Sequence, residues 1–518
     1  MHMAAKSLLP QRTQPKAIVI GAGIAGLATA LRLAVGGLRV TLVERHTHTG
    51  GKIRTVPSQA GPVDAGPTVL TLRHVFDDLF ATAGERLDDH VTLIRQEVLA
   101  RHFWSDGSCL DLYADADKSA AAIADFAGPT AADQFRRFHQ RTTRLFQAFD
   151  APVMQAPRPR MGQLVPHVLR QPDLIPAMAP LSTLAQMLKR QFSDRRLAQL
   201  FGRYATYVGG APHLSPALLS LIWQAEAAGV WVVDGGMHRL TDALTKLALA
   251  RGVDVLTQTH VADITVRQGR ATGVMTEDGA YLQAETIVYA GDPRALAAGS
   301  LGADVSGIAP QTTRLPRSFS ARVHSFAATP SGVPLAHHNV FFGDDLQSEF
   351  DDLAAGRIPK DPTLYLCAED RGQGRAPPAV ERFEIISNAP ATSTFTPPRD
   401  LDIWHHQIMQ RMADMGVTMS PTPTTATITT PQRFAEMFPQ TLGALYGQTP
   451  HGLTAALKRP TAQTAVKGLW LAGGGTHPGA GVPMATLSAR HAAEAILSGQ
   501  TSTSMSAQTA MRGGMSTA

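Results

Sequence analysis

Ala17-Ile18-Val19-Ile20-Gly21-Ala22-Gly23-Ile24-Ala25-Gly26, continued by Arg39-Val40-Thr41-Leu42-Val43-Glu44, decides how this chain is read. The run Ala17 to Ile20 is short, apolar and partly β-branched, the pattern of a strand buried in a parallel sheet. Glycines follow at once, then an amphipathic stretch to about Gly36, then a second strand that ends in an acid. Strand, G-x-G-x-x-G turn, helix, strand and acid is the order of a dinucleotide-binding unit. Gly21 permits the tight turn, Gly23 lets a pyrophosphate approach the backbone, and Gly26 lets the helix pack on the sheet. The helix start offers unpaired N–H groups and partial positive charge to phosphates. Glu44, 18 residues beyond Gly26, can accept hydrogen bonds from ribose hydroxyls.

The residues after Glu44 choose between dinucleotides. Arg45 precedes Gly50-Gly51-Lys52-Ile53-Arg54, and Asp64-Ala65-Gly66-Pro67-Thr68 comes next. An E-R-x4-G-G-[KR] arrangement resembles the two-dinucleotide-binding flavoproteins, in which the glycine doublet extends the diphosphate contact, and it implies FAD. Arg45, Lys52 and Arg54 could instead hold the 2′-phosphate of NADP, but Glu44 would repel it. A second strand–glycine turn–helix unit is not found, so a separate nicotinamide site is not indicated.

The far end of the chain reads as another part of the same site. Gly468 to Ala472 is a short buried strand running into Gly473-Gly474-Gly475-Thr476-His477-Pro478-Gly479-Ala480-Gly481-Val482-Pro483. Met484 to Leu497 has helical spacing, and Pro483 suits a first turn, where a missing N–H costs nothing. Such a helix start would aim its positive end at a flavin pyrimidine edge. Val482, Pro483 and Met484 therefore join Gly473 and Gly474 as cofactor contacts.

Here the resemblance narrows. G-G-x-T-H-P-G-x-G-[IV]-P and the opening E-R-x4-G-G-K resemble the bacterial phytoene desaturase family of carotenoid oxidoreductases. Tyr207-Val208-Gly209-Gly210, Gly229-Val230-Trp231 with Gly235-Gly236-Met237, and Ala336 to Phe342 extend the likeness over essentially residues 15–498. Glu226 to His238 and Val482 to Thr486 look closest to the branch that desaturates 1-hydroxylated acyclic carotenoids (the 3,4-desaturases). Many relatives of this flavoprotein class carry an acid near Gly474 for the flavin ribityl chain; this chain has glycine, and backbone N–H groups would have to serve.

The resemblance implies an α/β fold: a Rossmann-like FAD-binding domain of the glycine-doublet type with an inserted mixed α+β substrate domain. The FAD domain would be assembled from 15–75, 235–295 and 462–498, and the substrate domain from 76–234 and 296–461. Short alternating runs between Arg251 and Ala290, with turns at Gln268-Gly269 and Asp278-Gly279, read as a β-meander beside the first sheet. By the resemblance, Val261 in it would meet the adenine end.

A carotenoid has no acidic proton and no polarised carbonyl, so a long apolar tunnel is expected in place of a catalytic triad. Tyr204, Thr206, Tyr207, Trp223, Trp231 and Met237 are candidate tunnel residues, with Thr206 or Tyr207 facing a tertiary hydroxyl. Core packing is the competing reading for each. The terminal electron acceptor would be oxygen or a quinone. A phytoene desaturase, an isomerase or a ketolase would share nearly every motif. Prenyl-protein escort proteins keep the fold without redox chemistry, but intact Glu44, Gly50-Gly51 and Gly473 to Gly481 argue against that. An amine oxidase would want an aromatic cage, a catalytic lysine and often a cysteine-linked flavin, and neither cysteine lies in the C-terminal segment.

Composition fits this picture. The 518 residues are 44% hydrophobic and 17% charged, with a mean hydropathy of −0.05, too apolar for disorder. Two distant cysteines, Cys109 and Cys367, disfavour disulfide or zinc scaffolds and suit the cytoplasm. The histidine pairs 46/48, 337/338 and 405/406 invite a metal, but adjacent residues of a strand face opposite ways, so no metal is expected. Aromatics at 6% argue against nucleic acid. The net charge of +5 is all carried by 151–200, where Arg158, Arg160, Arg170, Lys189, Arg190, Arg195 and Arg196 oppose only Asp173 and Asp194. Mixed there with short apolar runs and prolines, these charges suit peripheral contact with an anionic bilayer; an ordinary solvated basic face is the alternative. No stretch reads as a membrane span or an export signal. The first residues read as a frayed leader and 499–518 as a disordered tail. No feature specifies an oligomeric state.

Overall fold

The computed structural model describes residues 14–512. Five strands form a wholly parallel sheet in the order Leu469–Leu471, Thr286–Tyr289, Lys16–Ile20, Arg39–Val43, Asp254–Leu256. The central strand is buried from Ala17 onward, as a strand covered on both faces must be. One face is covered by the helices Ile24–Val35, His238–Ala250 and Val482–Arg512, whose Leu27, Leu31, Leu240, Leu244, Ala489 and Ala493 share one core with Val19, Val40 and Leu42. The other face packs on the antiparallel strands Val261–Arg267, Arg270–Thr276 and Tyr281–Gln283 through Ile18, Ile20, Ile264 and Val274.

The meander is thus shorter than its sequence pattern suggested. Asp254–Leu256 and Thr286–Tyr289 leave it to pair in parallel with Arg39–Val43 and Lys16–Ile20. Their runs are too short for alternation to separate a half-buried strand from a parallel one.

A second sheet runs Val417–Ser420, Ser320–Gly332, Glu381–Ala389, Leu364–Ala368, His338–Phe341, Val98–Phe103, Cys109–Tyr113, with Ile428–Thr429 alongside Ser320–Gly332. All its pairs are antiparallel except His338–Phe341 with Val98–Phe103. Segments more than 200 residues apart in sequence thereby share one ladder. On one side Trp404, Ile408 and Met412 of the helix Pro398–Asp414 cover Phe326, Leu366 and Phe383. On the other, the helices Ala116–Ala127, Pro129–Phe149, Leu184–Gln191 and Arg195–Gly202 bury Phe135, Phe138, Phe201 and Trp223 against Leu99, Leu110, Leu112 and Phe342.

The last helix continues to Arg512, so 499–512 extend a helix where the composition suggested a disordered tail. Residues 513–518 of that tail and 1–13 of the leader lie outside the described residues. Among the described residues no helix is long and apolar enough to cross a membrane.

Candidate cofactor site and cavity

All five parallel strands end on one edge, where ligands of open α/β sheets bind. The chain leaves three of them into its glycine turns: Ile20 into Gly21, Tyr289 into Ala290-Gly291-Asp292, and Leu471 into Ala472-Gly473. Backbone bonds lock these exits together: Gly21 N to Val43 O at 2.8 Å, Ala290 N to Ile20 O at 2.9 Å, and Ala472 N to Tyr289 O at 3.0 Å.

The first helix begins at Ile24 with Gly23 as its cap and no side chain accepting from its first N–H groups, which leaves them for an anion. The helix can come this close only because residue 26 lacks a side chain. A Cβ there would stand 1.8 Å from Gly21 O. The glycine doublet lies across the same turn: Gly50 N donates to Ala22 O at 2.8 Å, and Gly23 and Gly50 form a parallel bridge. Gly51, at φ +61°, would put a Cβ 3.0 Å from Gly23 Cα. Bare backbone thus faces bare backbone beside an uncapped helix start, a cradle that side chains would fill and a diphosphate fits.

Glu44 is buried at the end of its strand. Its carboxylate accepts from Ala22 N at 2.7 Å and His46 N at 2.9 Å, so it is held against the glycine turn. Val261 shares a buried cluster with Val43, directly before Glu44. Arg45 is exposed. Lys52 donates to Leu445 O at 2.5 Å and lies 5.5 Å over the Phe438 ring. Burial lowers its pKa to about 8 against the opposing pull of Asp292. Arg54 donates to Thr429 Oγ1 at 2.5 Å, and burial lowers its pKa as well. These two cations tie the doublet segment to the strand residue Thr429 and to the backbone at Leu445.

At the far end Gly473 N donates to Ser488 Oγ at 2.7 Å, and the helix Val482–Arg512 starts with Pro483 in its first turn. Arg459, which carries no motif and escaped the sequence reading, clamps this segment. Its guanidinium donates to Gly474 O at 2.8 Å, Tyr446 O at 2.9 Å and Gln448 O at 3.2 Å.

Beside the cradle lies a cavity of about 340 Å³. Gly66, Pro67 and Thr68 of the doublet segment form one wall and Ala480 to Met484 another. Phe146, Leu221, Ile222, Val340 and Ile386 supply much of the apolar remainder. The structure therefore brings the segments before Thr68 and after Ala480 to one space.

Of the six candidate tunnel residues, Thr206 and Tyr207 line this cavity. The other four do not. Trp223 is fully buried among Phe135, Phe201 and Tyr204, with Nε1 donating to His139 Nδ1 at 3.2 Å. Tyr204 lies one layer behind the wall. Trp231 extends a two-strand ladder with Leu93–Arg95 and packs on the parallel-sheet core. Met237 N donates to Asp64 Oδ2 at 2.5 Å in a separate small void. Large aromatics fill cores as readily as they line tunnels, and composition does not separate the two.

Sequence reasoning missed the charged part of the wall. Arg203 and Glu226 both line the cavity, each nearly inaccessible. Glu226 accepts from Tyr204 OH at 2.6 Å and from Tyr207 OH, and Arg203 donates to Tyr207 OH at 2.7 Å. The guanidinium also stands about 5 Å over both tyrosine rings. Burial, opposed by the phenols and Glu226, leaves the Arg203 pKa above its ordinary range, and burial beside Glu226 raises both phenols.

The histidine argument needs correction at every pair. His46 and His48 lie outside any strand with their rings stacked at 6.2 Å, and His405 and His406 lie on the helix Pro398–Asp414. His337 precedes the strand His338–Phe341, so alternation does not separate the pair, and their rings meet edge to face at 4.5 Å. With Cys367 they bring three donor atoms within 4.8 Å. Protein partners already engage them: Cys367 Sγ to His337 Nε2 at 3.4 Å, His337 Nδ1 to Arg371 O at 2.7 Å, and His338 Nδ1 to Tyr365 OH at 2.7 Å.

Residues 24–497 match the model of the family described as flavin containing amine oxidoreductase. The chain is 53% identical over 483 residues to the hydroxyneurosporene desaturase of Cereibacter sphaeroides, covering 93% of this chain and 97% of that one. It is 48% identical to the protein of the same name from Rhodobacter capsulatus, covering 94% and 98%. In fold it resembles putrescine oxidase, at a TM-score of 0.60 and 14% identity over 93% of this chain and 99% of that one.

Proposed function

The chain belongs to the flavin-containing amine oxidoreductase family, and we propose that it desaturates an acyclic, hydroxylated carotenoid using FAD. The observation that carries this reading is the conjunction of near-full-length identity to hydroxyneurosporene desaturases with an apolar cavity walled by both glycine-bearing cofactor segments.

Bound FAD would supply the two-electron acceptor for one of the two hydrogens removed, taken as hydride, while the other would leave the neighbouring carbon as a proton to a weak base or water. The protein's own part is binding and placement. The uncapped helix start at Gly23, the bare backbone at Gly51 and the acid Glu44 would hold the diphosphate and ribose. The helix beginning at Val482 would point its positive end at the ring system. Phe146, Leu221, Ile222, Val340 and Ile386 exclude water and grip a polyene, which has only its surface to be recognised by. Trp223, Trp231 and Met237 belong to the packed cores and do not line the cavity.

Each buried CH₂ is worth about 0.8 kcal/mol, so a long isoprenoid passes from bilayer to protein without visiting water. The segment 158–181 suits that passage. Met161, Val165, Leu169, Ile175 and Leu181 are exposed, Leu169 at 65% and Leu181 at 99%. Arg158, Arg160, Arg170, Lys189, Arg190 and Arg195 are exposed as well. Arg144 pairs with Asp173 at 2.9 Å and Arg141 donates to Ala177 O at 2.7 Å, fixing the segment to the helix Pro129–Phe149. Phe146 on that helix and Met154 just beyond it line the cavity. Peripheral docking here on an anionic membrane, with oxygen or a quinone as final electron acceptor, completes the proposal.

The test is incubation of the FAD-loaded protein with vesicles holding 1-hydroxyneurosporene or, separately, phytoene. A product two hydrogens lighter than the hydroxylated polyene is expected; conversion of phytoene alone would overturn the assignment.

A further inference from the structure

We propose that Arg203, Tyr207 and Glu226 form the receptor for the substrate's hydroxyl group and so set the choice between a hydroxylated carotenoid and its parent hydrocarbon. The inference rests on the desaturase reading and adds to it the residues that discriminate.

A carotenoid hydrocarbon offers nothing to a charged group, yet this cavity carries a buried ion pair in its wall. Arg203 and Glu226 have side-chain exposures of 8% and 5%, and Nη2 stands 3.8 Å from Oε2. Replacing such a pair by apolar residues is often neutral or stabilising, so packing alone gives no reason for it at the surface of a greasy chamber. The cluster also retains unused capacity. Arg203 Nε is buried without a hydrogen-bond partner. Glu226 accepts one hydrogen bond at each oxygen, from Tyr204 and Tyr207, and a carboxylate can accept more. An alcohol needs both kinds of partner, donating through its hydrogen and accepting at its oxygen. Acceptor and donors are held rigid here, because Tyr204 backs Glu226 and both phenol rings lie under the guanidinium.

The other acid in the wall does not compete. Glu349 accepts from Asn388 Nδ2 at 2.8 Å at one oxygen and from Thr363 N at 3.2 Å and Oγ1 at 2.8 Å at the other. It closes a network among its own neighbours and leaves no buried atom unpartnered. Tyr365 OH is likewise engaged on two sides, 2.7 Å from both Thr68 Oγ1 and His338 Nδ1.

A site built to hydrogen-bond a substrate hydroxyl rejects the analogue that lacks it by leaving its own polar groups unmatched. The wild-type enzyme should therefore convert 1-hydroxyneurosporene in preference to neurosporene, measured as the ratio of kcat/KM in vesicles. Tyr207→Phe, which keeps the ring and the Arg203–Glu226 pair, should lower that ratio by about tenfold or more, chiefly through KM for the hydroxylated substrate. Glu226→Gln should lower it further. Because Glu226→Gln leaves a buried cation unpaired, melting temperature and FAD content are measured for both variants, and Tyr207→Phe alone decides if Glu226→Gln fails to fold. A ratio unchanged by Tyr207→Phe, or a wild-type enzyme indifferent to the hydroxyl, overturns the proposal and leaves the desaturase reading intact. Failure of the wild type to desaturate either polyene overturns the desaturase reading itself.

Discussion

Gly26→Ala adds one methyl group where the structure has no room for it. The new Cβ would lie 1.8 Å from Gly21 O, 3.0 Å from Gly21 C and 3.4 Å from Ala290 Cβ. A carbon–oxygen contact normally sits at about 3.3 Å, so helix and turn must part by roughly 1.5 Å. Neither side is free to give. Gly21 is tied to Val43 by its N–H, and the helix is buried along Leu27, Leu31 and Leu33. Overpacking of cores costs about 1–3 kcal/mol, and a backbone-against-backbone clash belongs at the upper end. Because the same displacement widens the phosphate cradle, a loss of about 3 kcal/mol there would weaken FAD binding by roughly 150-fold. Thermal melting of the FAD-free protein and titration with FAD, followed by flavin fluorescence, measure the two effects. Gly162→Ala is the control: that glycine lies within the helix Met161–Leu169 with nothing within 4 Å of the added carbon. It should leave both quantities near wild type. If Gly26→Ala binds FAD normally and melts normally, the strand–turn–helix packing described here is wrong.

Three further outcomes follow from named contacts. Arg459→Met strips three carbonyls of their donor; at about 1.5–3 kcal/mol for hydrogen bonds to a charged group, the melting temperature should drop by several degrees and FAD should dissociate faster, whereas an unaltered FAD off-rate would show that the clamp does not reach the site. Leu169→Asp with Leu181→Asp should reduce co-sedimentation with anionic vesicles by at least about tenfold, since each leucine buried in lipid is worth about 1.5–3 kcal/mol, and FAD content should be unaffected; unchanged sedimentation removes the docking surface. Lys52 has its pKa lowered by burial from 10.5 to about 8, so between those values the unfolded chain binds more protons than the folded one and stability of the FAD-free protein from this group rises as pH increases. Lys52→Met should flatten that part of the stability–pH curve, and an identical slope in the variant would place the titration elsewhere.

The cofactor cradle was legible because its constraints are local. Gly21 to Gly26 and Glu44 sit in one strand–turn–helix–strand unit whose geometry follows from sequence spacing, and the glycine doublet lies within ten residues of it. The wall of the cavity was legible only in part. Thr206 and Tyr207 line it, while Trp223 sits one layer away among phenylalanines, and nothing in a sequence distinguishes those depths. Arg203 and Glu226 lie 23 residues apart and became a pair only through the packing of short helical turns at 203–208 and 223–227. Arg459 stands in a loop without periodicity and acts through backbone carbonyls, which leave no trace in side-chain pattern. Alternation failed at His337 because the strand starts one residue later, and at Asp254–Leu256 and Thr286–Tyr289 because strands of three or four residues carry too few positions to show their neighbours.

Anaerobic mixing of the FAD-loaded protein with 1-hydroxyneurosporene in vesicles tests the reading most directly. The yellow oxidised flavin should bleach in step with the appearance of one equivalent of a polyene two hydrogens lighter. A flavin that stays oxidised with this substrate but is reduced by a simple amine would contradict it.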